Sequence, residues 1–247
     1  MPRRRLATAL TGLATVAALA LAPQPATADP IVLPDVLGSV PIDSDLLTCT
    51  QLVPHAISLD SAPVRLEVRI LLDGVRRREA KRAVVSMRRA YSPLRISVAA
   101  TYQRVRFTGD DADGLIRQAK RLYRGKRPRG TDVVYTMTSK NITAAGGDNV
   151  AGLADCIGGV RFPDKAFAVG EVLGADSGVR EGTGKVLAHE IGHLLGAHHH
   201  YFSPEGLLAS DPNIGTIMAP FLDLTSLRFS TVNVLMVKGH AQLYARP

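Results

Sequence analysis

Eleven consecutive residues, His189-Glu190-Ile191-Gly192-His193-Leu194-Leu195-Gly196-Ala197-His198-His199, constrain the backbone of this chain more than any other stretch. Side chains four apart on an α-helix share a face and are separated by about 6 Å along its axis, so His189 and His193 can converge on one point. A residue ten positions past His189 would lie about 15 Å further along a continuous helix, beyond the reach of that point. The chain must therefore leave the helix and turn back for a third histidine to join the first two. Gly196 permits this, because glycine enters the left-handed conformation at a helix C-terminus without steric penalty. The string thus predicts a helix ending near Leu195, a tight turn, and a loop histidine.

Three neutral imidazoles are the ligand set of a zinc ion with an open fourth position, the arrangement of a catalytic site rather than a closed structural one. Glu190, between the two helical ligands, is placed to act as general base toward a water there. His189, His193 and His199 are accordingly the expected ligands of one Zn2+, and Glu190 the catalytic carboxylate. Three histidines stand in a row at positions 198 to 200, and residue chemistry alone does not choose among them. The motif spacing selects His199 and leaves His198 and His200 as expected solvent-facing neighbours.

The string resembles that of the metzincin clan of zinc endopeptidases, and Thr216-Ile217-Met218-Ala219-Pro220 agrees with it, Met218 standing 19 residues past His199. In that clan a tight turn carries a methionine under the three ligands, a role the resemblance implies for Met218. The I-M-x-P turn and Gly152-Leu153-Ala154 resemble the adamalysin or reprolysin branch most closely. Against that branch, Thr216 stands where a cysteine is usual and His200 where an aspartate is usual. No tyrosine lies two residues past Met218, so the extra tyrosine ligand of astacin-like members is not expected. The resemblance further implies an edge strand above the zinc helix that pairs with substrate backbone, for which Gly152, Leu153 and Ala154 are the candidates.

Export is the expected fate of the chain. Residues 1–28 open with Met1-Pro2-Arg3-Arg4-Arg5, continue through an Ala/Leu/Thr stretch and end Ala26-Thr27-Ala28, the pattern of a cleavable signal peptide. The apolar run is short for a membrane span, and none follows it, so the mature protein is expected to be secreted, extracellular and without a stable span. The formal net charge is +8; loss of the three signal arginines leaves 27 Lys plus Arg against 22 acidic residues, or +5. The excess concentrates in Arg76 through Arg89 and in Arg117 through Arg129. These read as solvated faces, or as contacts for an anionic polymer or cell surface. Nucleic acid is not an expected partner, since nothing aromatic interleaves with the charges.

Cys49 and Cys156 are the only cysteines, an even pair that suggests a disulfide in an exported protein. The alternative is a thiolate from Cys49 holding the zinc latent, but Leu47-Thr48-Cys49-Thr50-Gln51 does not resemble the known switch sequences. Asn141-Ile142-Thr143 fits a glycosylation acceptor, and His55 and His240 read as structural or exposed.

Residues 29–63 hold five prolines without sustained periodicity and read as an extended N-terminal segment or short pro-peptide. Residues 64–247 read as the catalytic domain. Alternation predicts strands over 64–72, 94–107, 131–137, 150–154 and 165–172, and helical periodicity predicts helices over 76–89, 111–123, 184–195 and 230–243. The order of the first five elements implies a largely parallel sheet with right-handed crossovers. The expected class is α/β (α+β) and metzincin-like, a twisted mixed five-stranded sheet with helices, an active-site helix and a small irregular C-terminal subdomain. The expected function is zinc-dependent endopeptidase activity by a monomer on protein or peptide substrates. A zinc-binding or surface-binding module without turnover, or a cell-wall peptide amidase, are the alternatives.

Overall fold

The computed structural model describes residues 31–33, 55–144, 147, 149–173, 181–199, 215–219 and 226–245. The strands are β1 (Ile31–Leu33), β2 (His55–Ile57), β3 (Val64–Asp73), β4 (Ile96–Val105), β5 (Val133–Thr138), β6 (Ile142–Thr143), β7 (Asn149–Val150), β8 (Gly152–Ala154) and β9 (Phe167–Glu171). The helices are α1 (Arg77–Tyr91), α2 (Ala112–Leu122), α3 (Gly182–Leu194) and α4 (Thr231–Tyr244). The signal-peptide region, Cys49 and the whole of residues 200–214, His200 included, lie outside the described residues. No helix among the described residues is long and apolar enough to cross a membrane.

Five strands form the main sheet in the order β4-β3-β5-β9-β8. β3 runs parallel to β4 and β5, β5 parallel to β9, and β8 alone is antiparallel, beside β9. Side-chain alternation divides the core. Leu66, Val68, Ile70 and Leu72 of β3 and Val133, Tyr135 and Met137 of β5 pack on the face covered by α1, α3 and α4. Leu71, Val134, Phe167 and Val169 point the other way, onto Leu115, Ile116 and Ala119 of α2. β5 is buried on both faces, whereas β3 keeps Arg65, Glu67 and Arg69 exposed or half-buried on one, which is the alternation its sequence shows.

The expected mixed five-stranded sheet is present, with two differences in detail. The expected strand over 150–154 divides at Ala151: Asn149–Val150 pairs with β6, and Gly152–Ala154 joins the main sheet. The other concerns residues 29–63, which gave no strand signal. There β1 and β2 form an antiparallel pair, Ile31 opposite Ile57. β2 packs on α4: Ala56 is fully buried, Ser58 N–H donates to the Leu235 carbonyl at 3.1 Å, and Gly239 comes so close that a Cβ there would lie 2.4 Å from the Ala56 carbonyl oxygen. Strands of three residues are too short for alternation to reveal, and their pairing is set by contact with the C-terminal helix.

α3 is apolar on nearly every side because it is enclosed, with the sheet behind it, α1 beside it and the C-terminal elements below. Gly184 lets α1 approach, a Cβ there falling 2.5 Å from the Ser86 Cβ and 2.8 Å from the Ala83 carbonyl oxygen. From the end of α1, the Tyr91 hydroxyl donates to the Ala188 carbonyl at 2.9 Å, one residue before the first histidine of the string.

Candidate active site

α3 ends at Leu194 and the chain turns at Gly196, whose φ is 89°. Two hydrogen bonds close the turn, Gly196 N–H to the His193 carbonyl and Ala197 N–H to the Gly192 carbonyl, both 2.9 Å. This is the Schellman arrangement that satisfies the last helical carbonyls. A Cβ on residue 196 would also fall 2.5 Å from two atoms of the His240 ring, so space as well as backbone conformation requires glycine. The turn brings His199 back to the helix, as the spacing predicted.

The Nε2 atoms of His189, His193 and His199 lie 2.9 to 3.0 Å from one another. His189 donates from Nδ1 to the Ile217 carbonyl at 2.6 Å, and His193 donates from Nδ1 to the Ala197 carbonyl at 2.8 Å. A carbonyl only accepts, so these bonds fix the tautomer and leave both Nε2 lone pairs facing inward. Burial, then the neighbouring His199 and His189, hold His193 well below its usual pKa and keep it neutral. Imidazole lone pairs gathered this closely repel one another unless a cation lies among them. A tetrahedral zinc with bonds of about 2.1 Å spaces its ligands by about 3.4 Å, a few tenths of an ångström wider than observed and within side-chain adjustment. The donor set fits zinc.

Met218 is fully buried, its Sδ 3.0 Å from where a Cβ on Gly192 would lie. Gly192 therefore lets the methionine seat against the zinc helix between its two ligands. The turn is closed by Ala219 N–H to the Thr216 carbonyl at 3.2 Å, and Ile217 N–H is held by the Arg228 carbonyl at 2.8 Å. Ile217 thus links two elements: its carbonyl orients His189 while its neighbour Met218 packs on Gly192 of the same helix. Sequence gave no sign of the first, since any residue offers a carbonyl.

Glu190 is buried, and its carboxylate lies against β8. A Cβ on Gly152 would lie 2.5, 2.7 and 2.8 Å from its Oε1, Cγ and Cδ. Loss of hydration on burial pushes the Glu190 carboxyl up to about 8, against the opposing effect of a hydrogen bond from Ala154 N–H. A nearby cation favours the ionised form instead. Gly152, Leu153 and Ala154 do form the edge strand expected beside the zinc helix, but they divide in role. Asp155 N–H bonds to the Phe167 carbonyl and Glu171 N–H to the Ala151 carbonyl, so residues 151, 153 and 155 face β9. The backbone groups of Gly152 and Ala154 face outward, and Ala154 N–H is the one that meets Glu190.

His198 departs from expectation. It is 3 % exposed rather than solvent-facing, with its backbone N–H and carbonyl both bonded to the Asn233 side chain of α4. The turn at Gly196 folds inward, carrying residue 198 under the C-terminal helix while residue 199 reaches the cluster. His240 is buried beneath the same turn and donates from Nδ1 to the Met236 carbonyl at 3.1 Å, a structural role. Cys156 is buried after β8, while its expected partner Cys49 lies outside the described residues.

Residues 83–200 match the model of the reprolysin-like metallo-peptidase family M12B. No curated protein matches the chain in sequence. Among solved structures, the archaemetzincin of Methanopyrus kandleri superposes with a TM-score of 0.53 at 19 % identity, covering 75 % of this chain and 98 % of that one. The archaemetzincin of Archaeoglobus fulgidus gives 0.47 at 18 % identity, over 68 % of this chain and 98 % of that one. A zinc-dependent peptidase of Methanocorpusculum labreanum gives 0.45 at 17 %, over 69 % and 99 %. The adamalysin branch is not singled out by these likenesses. The chain thus resembles reprolysin-like metallo-peptidases in sequence over residues 83–200, ending one residue past the third histidine, and shares its fold with an archaemetzincin, with His189, His193 and His199 placed so that they could hold a metal ion.

Proposed function

We propose that the protein is a secreted endopeptidase in which Glu190 activates the attacking water. The observation that carries this reading is the placement of Glu190, buried with its carboxylate against Gly152 and Ala154 of the edge strand, on the helix that carries His189 and His193. Held by His189, His193 and His199, a zinc ion would supply an acidified water and would polarise a carbonyl oxygen. Glu190 takes the proton from the water and delivers it to the leaving amine nitrogen. Gly152 N–H, Gly152 C=O and Ala154 C=O are the outward backbone groups of β8, suited to pair with an extended peptide drawn across the site. Only backbone recognition of this kind is needed to cut inside a chain, which favours an endopeptidase.

Secretion rests on the signal-peptide pattern of residues 1–28, and a Cys49–Cys156 disulfide on an even cysteine count in an exported chain. Three cations of the second basic run are engaged within the fold: Lys120 pairs with Asp155 at 2.7 Å, Arg117 with Asp111 at 3.0 Å, and Arg127 donates to the carbonyls of Asp132 and Val160, whereas Arg121, Arg124, Lys126 and Arg129 are exposed. An anionic polymer or cell surface would meet the exposed cations of either run, Arg78, Lys81 and Arg82 on α1 among them.

The test uses mature protein with one equivalent of zinc and an unfolded protein substrate. Cleavage at internal sites, its loss on chelation, and a Glu190→Gln variant that retains zinc without turnover are expected. Undiminished cleavage by Glu190→Gln would overturn the mechanism, and absence of cleavage across a broad peptide library would favour the binding-module alternative.

A further inference from the structure

The third ligand differs from the other two in what holds it. His189 and His193 stand on a helix enclosed by the core, whereas His199 follows a loop that no regular element contains. That loop is gripped from below by α4. Ser230 caps the helix by accepting from Asn233 N–H at 3.4 Å, which fixes residue 233 in the first turn. The Asn233 side chain, fully buried, accepts from His198 N–H through Oδ1 at 3.1 Å and donates from Nδ2 to the His198 carbonyl at 3.2 Å. Both polar groups of one peptide-bearing residue are thus satisfied by a single amide, and the polarity of the backbone dictates which amide atom faces which. About two helical turns further on, His240 fills the space under Gly196.

We infer that Asn233 is a positioning residue for the zinc site, its amide fixing the His198 backbone and thereby the direction in which His199 presents Nε2. The inference rests on the zinc reading above. No other natural side chain does the same: aspartate lacks the donor, glutamine is one methylene too long for the enclosed space, and alanine leaves two buried backbone groups without partners. Groups that orient metal ligands without touching the metal alter affinity by about 10- to 100-fold when removed, which sets the size of the expected effect.

The experiment measures zinc affinity by competition with a chromophoric chelator, alongside thermal unfolding of the zinc-free proteins, for wild type, Asn233→Ala, Asn233→Asp, His199→Ala and the Asn233→Ala/His199→Ala pair. Asn233→Ala is expected to weaken zinc binding by about 10- to 100-fold, and Asn233→Asp, which keeps the bond to His198 N–H, by less. In the His199→Ala background, Asn233→Ala is expected to change zinc affinity by less than about two-fold, because the ligand it positions is gone. An equal loss in both backgrounds, or unchanged affinity with only a lower melting temperature, would overturn the inference. Should Asn233→Ala not fold, Asn233→Asp in the two backgrounds gives the same comparison. Failure of the wild type to bind zinc would instead overturn the zinc reading itself.

Discussion

Replacing Gly152 by alanine adds a single methyl group at the point where β8 and the zinc helix come closest. That carbon would lie 2.5 Å from Glu190 Oε1, 2.7 Å from Cγ and 2.8 Å from Cδ. Ordinary contact needs roughly 3.4 Å or more, so the glutamate and the strand must separate by about 0.6 to 0.9 Å. The oxygen is the mobile end of a flexible side chain, but Cγ is not, so rotation of the carboxylate alone does not relieve the overlap. Either the glutamate swings from the cluster or β8 retreats and the Ala154 N–H bond to Glu190 is lost. A displacement near 1 Å in a proton-transferring group costs about 100-fold in rate, equivalent to about 2.7 kcal/mol of transition-state stabilisation. The three imidazoles are untouched, so zinc content is expected to remain at one per chain. The assay is kcat/KM on a fluorogenic peptide together with metal analysis. Glu190→Ala supplies the internal control: it removes Cγ, Cδ and Oε1, so Gly152→Ala is expected to lower the melting temperature much less in that background than in the wild type. A Gly152→Ala enzyme with full zinc and kcat/KM within two-fold of wild type would refute the steric reasoning.

Three further outcomes follow from the geometry. In the zinc-free protein the Glu190 carboxyl is raised to about 8 in the folded state, so the fold binds a proton that the unfolded chain releases above about 4.5, and stability falls as pH rises through that window. Zinc-free Glu190→Gln is therefore expected to gain melting temperature over zinc-free wild type at pH 8 and to show no such gain near pH 4.5; a pH-independent difference would count against it. Gly196→Ala combines a φ of 89° with an approach of 2.5 Å to the His240 ring, and is expected to lose about 1–3 kcal/mol of stability in chemical denaturation and to bind zinc more weakly. A variant as stable as wild type would show that the turn can be built otherwise. The proposed Cys49–Cys156 bond would close a loop of about 107 residues, worth about 4–5 kcal/mol in the chain-entropy model; a melting temperature unaffected by reductant would remove it.

Much of the site was legible because its requirements are local. An interval of four residues places two imidazoles on one helical face wherever the helix lies, and a glycine three positions later ends that helix by its own conformational freedom. These are properties of a single turn of backbone, and His189, His193, Gly196 and His199 met as the spacing required. β3 was equally plain, since exposed or half-buried Arg65, Glu67 and Arg69 alternate with buried Leu66, Val68 and Ile70, and β5 and β9 are buried almost throughout. Gly152 offered a weaker signal, a glycine in a strand often marking a close approach, without revealing that the approaching group is Glu190.

What the sequence by itself determined is the chemistry and the local path of the chain: three imidazoles, one carboxylate, the turn that unites them, and the apolar alternation of the sheet around them. The tertiary structure decided the inward burial of His198, the grip of Asn233 on its backbone, the Ile217 carbonyl on His189, and the clearance that Gly152 leaves for Glu190. Each of these joins residues between 28 and 38 positions apart, through backbone groups that every residue possesses or through empty space that no residue type announces. Helical spacing can be counted along a chain because covalent geometry fixes it, whereas a contact between distant segments exists only once packing has brought them together.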